Sequence, residues 1–233
     1  MYYRLAIMSK DGDWIVREAP DACAHVRSVL SRHGATHRPS APLDIRWLAG
    51  GWSSHFEYSD SDQRRIRCDF VSRPPRVSVE TLTAMFRGGA GDQGFPVVDR
   101  ETLIRLKQTG RAKDYAVIGE LARQLPPDQE IKWTTDVDRV LELSVITDRA
   151  SSRPSVQAAR HGAGRAAVVA ALALEIDELQ QADRRRLVQY QSAAEPYLNE
   201  FRRMGLDRIP LEQAHEQACQ LAEALLPRQP IEE

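Results

Sequence analysis

The apolar pattern of this chain changes at Pro126-Pro127. Upstream, short apolar runs are separated by turn residues; downstream, nearly every apolar residue falls at helical spacing. Period-2 alternation marks half-buried strands and a 3.6-residue period marks amphipathic helices, so an α/β part should precede a helical part. We therefore expect an α+β fold with a mixed sheet and flanking helices over residues 1–127, followed by an all-helical region over 128–233 that packs on it. Within the first region, 43–48, 54–58 and 66–71 read as strands, linked at Gly50-Gly51 and at Ser59-Asp-Ser-Asp62. Ala19-Pro-Asp-Ala opens a helix that ends near Gly34, with proline in its first turn. Helices follow at 79–87, from Asp99 as N-cap to about Gln108, and at 112–125, the first two separated by the glycine-rich loop 88–94. The second region reads as helices at 137–143, 155–161, about 165–203 and 211–226. Pro196 is expected to kink or break the long one at Glu195.

Composition narrows the function classes. Apolar residues make up 42% and charged residues 28%, enough for a globular core. A net charge of −1 provides no global attraction to nucleic acid. Arginines do gather at Arg64, Arg65 and Arg67, at Arg73 and Arg76, and at Arg184 to Arg186; solvated faces account for them. Three cysteines, Cys23, Cys68 and Cys219, are too few and too scattered for a disulfide framework or a paired-ligand zinc site, and read as buried or idle thiols. No apolar stretch reaches 18 residues and the start lacks a signal-peptide core, so a cytoplasmic protein without membrane contact is expected. The six histidines show no H-x-x-H or H-E-x-x-H spacing and read as surface or core residues. His55 stands apart because it falls on the strand beside Asp69. No G-x-S-x-G serine motif is present.

The chemistry-bearing pattern is acidic. Asp11 and Asp13 head the apolar run Trp14-Ile15-Val16, and Asp69 lies inside Arg65-Ile-Arg-Cys-Asp-Phe-Val71. Alternate strand residues share a face and neighbouring strands lie about 5 Å apart, so the three carboxylates can converge on one spot. Two carboxylates about 4 Å apart repel by roughly 4 kcal/mol at an effective dielectric near 20, and a cluster of three calls for a counter-charge such as Mg²⁺. The segment Lys10-Asp-Gly-Asp13 also reads as a hairpin turn between strands at 2–8 and 14–18.

A family resemblance enters with Leu103-Ile-Arg-Leu-Lys107, Arg111-Ala-Lys-Asp114 and Ile118-Gly-Glu-Leu121. This succession resembles the closing segment of the small bacterial nucleotidyltransferase-like domains of the polymerase β superfamily, whose toxin-like and antibiotic-modifying branches share it. The strand around Asp69, followed by Phe-Val-Ser-Arg, is similar to the one carrying that family's third metal carboxylate, and 9–16 is similar to its paired-carboxylate strand, with Gly12 where an apolar residue is usual. The resemblance covers about 6–123. It implies an Mg²⁺-dependent nucleotidyltransferase in which Asp11, Asp13 and Asp69 hold the metal. It also implies that Asp69 serves the proton-accepting side, and that Lys107, Arg111 and Lys113 contact the phosphates of a nucleoside triphosphate; each of the three reads equally as a solvated helix-end charge paired with Asp114 or Glu120. The acceptor is a protein, an RNA or a small molecule. One departure stands out: the family's Gly-Gly or Gly-Ser turn before the D-x-D strand is not expected here, because only ten residues precede Asp11. Gly50-Gly-Trp-Ser-Ser54 has a similar composition but lies downstream, where a tight connection is the simpler reading. The alternative function is a catalytically weak scaffold that binds a protein partner, of toxin–antitoxin type, or a second copy through the C-terminal helices.

Overall fold

The computed structural model describes residues 11–87, 97–148 and 150–230. Four strands form one mixed sheet in the order β1-β4-β3-β2: β1 (Asp11–Ile15), β2 (Thr36–His37), β3 (Ser53–Ser59) and β4 (Arg65–Val71). β1 runs parallel to β4, whereas β3 is antiparallel to both β4 and β2. Helix α1 (Pro20–Arg32) follows β1, starting at a proline and closing with Gly34 in the left-handed region. Cys23 and Leu30 of α1 pack in one core with Phe56, Cys68 and Phe70, the inward residues of β3 and β4. The alternation puts Asp13, Arg67, Asp69, His55 and Glu57 on the opposite, polar face.

Two sequence expectations change here. Asp11-Gly-Asp13 lies inside β1 and is not a hairpin turn; the strand expected at 2–8 lies outside the described residues. Residues 43–48 are not a strand. Asp44 accepts the backbone N–H of Arg46 and caps a single helical turn, α2 (Ile45–Leu48). The burial explains the difference: consecutive Trp47 and Leu48 are both almost fully buried, which one helical turn permits and a one-sided strand does not.

The remaining elements are helices: α3 (Val79–Arg87), α4 (Arg100–Lys107), α5 (Ala112–Ala122), α6 (Pro127–Glu130), α7 (Val137–Ile146), α8 (Pro154–Arg160), α9 (Gly164–Arg203) and α10 (Leu211–Leu225). The glycine-rich loop expected at 88–94 lies outside the described residues. The described chain groups into two compact units, 81–187 and 11–80 with 188–230. This grouping follows packing and not sequence order, and so differs from a division at residue 127. Trp47 and Trp52 share a core with Tyr197, Phe201, Ala218 and Ala222, which ties the end of α9 and α10 to the sheet-bearing unit. In the other unit, Ile104, Tyr115, Ile118 and Leu121 form one core and Ile131, Val140, Leu143 and Val156 another.

Helix α9 spans 40 residues and continues through Pro196. An internal proline costs about 3 kcal/mol through its missing N–H and its ring. Ala194, Tyr197 and Phe201 are buried around it, and each large apolar side chain buried contributes roughly 1.5–3 kcal/mol. Packing therefore outweighs the breaker that the sequence presents.

Candidate functional site

The polar face of the sheet carries the candidate site. Asp13 is the register partner of Asp69, and Asp69 is in turn the partner of His55, so the three side chains form a row across β1, β4 and β3. Asp11 pairs in register with Arg67 on the same face, one pleat along. Next to this row, Glu57 meets Arg65 at 2.6 Å and also pairs with Arg38.

Asp69 sits at the centre. Its Oδ1 is shielded from solvent and lies 3.1 Å from Nδ1 of His55, off the line of a good hydrogen bond, so this oxygen lacks a well-aligned donor. Burial pushes the Asp69 carboxyl up, but the His55 contact and the charges of Arg67 and Arg38 outweigh it and hold the group below the usual carboxylate range. Asp69 is therefore ionised at neutral pH. On the other side of the imidazole, His55 Nε2 is 2.7 Å from the Ser53 hydroxyl. Ser53, His55 and Asp69 thus line up as hydroxyl, imidazole and carboxylate. Strand alternation and antiparallel register place them; Ser53 belongs to no serine motif, so the sequence carries no local signal for it.

Gly12 has a local reason. A Cβ there would lie 2.9 Å from Nε1 of Trp14, so glycine leaves room for the indole. Gly50-Gly51 is a tight connection. The N–H groups of Gly50, Gly51 and Trp52 are spent on the carbonyls of Trp47 and Leu48, and a Cβ on Gly50 would overlap the Arg228 carbonyl at 1.7 Å. These amides have no capacity left for a phosphate.

Lys107, Arg111 and Lys113 belong to the other unit, 81–187. Lys107 ends α4, Arg111 is the N-cap residue of α5 and Lys113 is exposed in its first turn. Arg111 is engaged structurally, because its Nε lies 2.8 Å from Asp114, whose buried carboxylate also accepts the Thr109 hydroxyl at 2.5 Å. Arg184 to Arg186 are likewise no plain solvated run, since Arg186 meets the buried Asp183 at 3.1 Å and Asp183 also accepts the Gly110 N–H at 2.7 Å.

Among the described residues, one group of three ligand-type side chains brings its donor atoms within 4.8 Å of one another: Asp44, His215 and Cys219. The carboxylates of Asp11, Asp13 and Asp69 share a face but do not meet that spacing. The signal for the group was His215-x-x-x-Cys219, an i,i+4 pair on one face of a helix. Its third member lies far away in sequence, next to a turn read as a strand. In comparisons with known proteins, no family model, no curated protein and no solved structure matched the chain. The fold and the site define an α+β protein with a four-stranded mixed sheet, and no described helix is long and apolar enough to cross a membrane.

Proposed function

We propose that the polar sheet face binds a divalent cation and that the chain is an Mg²⁺-dependent nucleotidyltransferase with a nucleotidyltransferase-like fold. One observation carries this reading: Asp13 and Asp69 are register partners on adjacent parallel strands, and Asp69 Oδ1 is buried without an aligned donor. Two juxtaposed carboxylates fit a hard cation that prefers oxygen ligands. Asp13 and Asp69 would hold it, with Asp11 one pleat away. Bound there, Mg²⁺ supplies charge neutralisation for the phosphates of a nucleoside triphosphate. Asp69 contributes a second property, since its low proton affinity keeps it ionised while His55 stands 3.1 Å away to take a proton from an acceptor hydroxyl. The test is calorimetric titration of ATP, GTP, CTP and UTP in Mg²⁺ buffer into the wild type and the double variant Asp13→Asn, Asp69→Asn. The wild type binds at least one nucleotide and the variant loses it. Identical traces without heat at millimolar nucleotide favour the scaffold that meets a protein partner or a second copy.

A second reading rests on the 2.7 Å contact of the Ser53 hydroxyl with His55 Nε2. Nucleophile, base and orienting acid in this order are the parts of an acyl-transfer triad. Turnover of a p-nitrophenyl ester without Mg²⁺, abolished by Ser53→Ala, supports it; equal rates in the two proteins reject it.

A further inference from the structure

A second group of ligand-type side chains in the sheet-bearing unit has the chemistry of a different metal. His215 and Cys219 stand one helical turn apart on α10, with Cys219 Sγ 3.5 Å from His215 Nε2. Asp44, the N-cap residue of α2, completes a set whose donor atoms lie within 4.8 Å of one another. His215 is only 6% exposed, and its Nδ1 is buried with no hydrogen-bond partner. Nε2, the nitrogen that faces the Cys219 sulfur, is the one placed to ligate; Nδ1 lies on the far side of the ring.

We propose that Asp44, His215 and Cys219 form a binding site for a zinc-class divalent transition metal. One nitrogen, one sulfur and one oxygen suit a borderline-soft ion and do not suit Mg²⁺, which takes oxygen. Three protein ligands leave a fourth position for water, as in open zinc sites. Because the Arg27 guanidinium can only donate, the His215 Nε2 that meets it carries a lone pair. Metal binding forms the S–metal bond at Cys219 as the thiol proton leaves for solvent, with no change of oxidation state. Asp44 is held through both oxygens by Arg46 at 2.8 and 2.9 Å, which fixes the carboxylate.

Arg27 is the built-in competitor. Its Nη1 donates to His215 Nε2 at 2.6 Å, so a guanidinium takes the lone pair that a metal would use. Its Nε lies 3.7 Å from the half-exposed Glu212, which offers the guanidinium another partner once His215 is taken. The site therefore exchanges a fixed organic cation for a metal ion.

The experiment uses the reduced, metal-stripped full chain titrated with Co²⁺ and then Zn²⁺. One equivalent of Co²⁺ gives a thiolate-to-cobalt charge-transfer band, and one equivalent of Zn²⁺ bleaches it. Cys219→Ser loses the band, Asp44→Asn, which keeps a capping side chain, weakens binding at least tenfold, and Arg27→Gln tightens it. A measurement on the wild type guards against misfolded variants: Zn²⁺ slows alkylation of Cys219 at least tenfold, read by mass spectrometry. Absence of the band, its survival in folded Cys219→Ser, or an unchanged alkylation rate overturns the proposal.

Discussion

Asp13 and Asp69 are register partners on adjacent parallel strands, so their carboxylates project from one face of the sheet. The neighbouring register pair on β3 adds His55 to the same row. A cation bound there stabilises the folded chain alone, because the unfolded chain does not bring the two residues together.

Mg²⁺ should therefore raise the melting temperature through Asp69. At a hundredfold excess over Kd the linkage is about 2.7 kcal/mol, and a domain of this size gains roughly 2–4 °C per kcal/mol. A rise of about 5–10 °C is expected for the wild type in scanning fluorimetry and none for Asp69→Asn. Equal shifts in both proteins would place the ion elsewhere.

Asp114 anchors the start of α5 through the Thr109 hydroxyl and Arg111, while itself only 5% exposed. Removing one partner of such a group leaves the others unsatisfied, at about 1–3 kcal/mol. Asp114→Ala should lower the melting temperature by roughly 2–12 °C, and exposed Lys113→Ala should leave it within about 2 °C, since surface substitutions usually stay within 0.5 kcal/mol. A stable Asp114→Ala variant would remove this structural role and return Arg111 to the candidate phosphate contacts.

His37 is fully buried beside Phe56 and Phe201, donates from Nδ1 to the Arg38 carbonyl, and leaves Nε2 without a partner. Burial holds its imidazole down at about 4, against about 6.5 in an unfolded chain. The unfolded state therefore binds more protons between those values, and stability rises with pH across the window and falls as pH drops from about 6.5 to 4. At pH 5 this one histidine removes about 2 kcal/mol relative to pH 8. Urea midpoints should fall with acid more steeply in the wild type than in His37→Gln; parallel slopes would count against it.

The sequence was informative where one pattern had one meaning. β3, β4, α1, α3 and α10 follow from alternation, helical spacing, Pro20 and the turn at Gly34, and the shared face of Asp13 and Asp69 follows from period 2. Residues 43–48 were ambiguous because a short apolar run fits a strand or a buried helical turn, and only the partners of Trp47 and Leu48 decide. Arg111 could not be assigned from spacing alone, since its ion pair depends on Thr109 and Asp114 closing the same turn. Asp44, His215 and Cys219 come together through the packing of α10 on the sheet-bearing unit, a long-range event that no local motif announces.

Pro196 gives the last test, because it opposes the helix that contains it. The residue is exposed, so replacing it removes no buried contact, while Ala194 and Tyr197 on either side are buried and keep the helix in place. Pro196→Ala restores a backbone N–H to α9 and removes the ring that crowds the carbonyl four residues back, which together amount to as much as about 3 kcal/mol. The freer unfolded chain of the alanine variant offsets roughly 0.4–1 kcal/mol of that gain. A net stabilisation of about 1–2.5 kcal/mol is expected, seen as a higher urea midpoint at unchanged m-value. An unchanged or lower midpoint would mean that α9 has adapted its backbone to the proline.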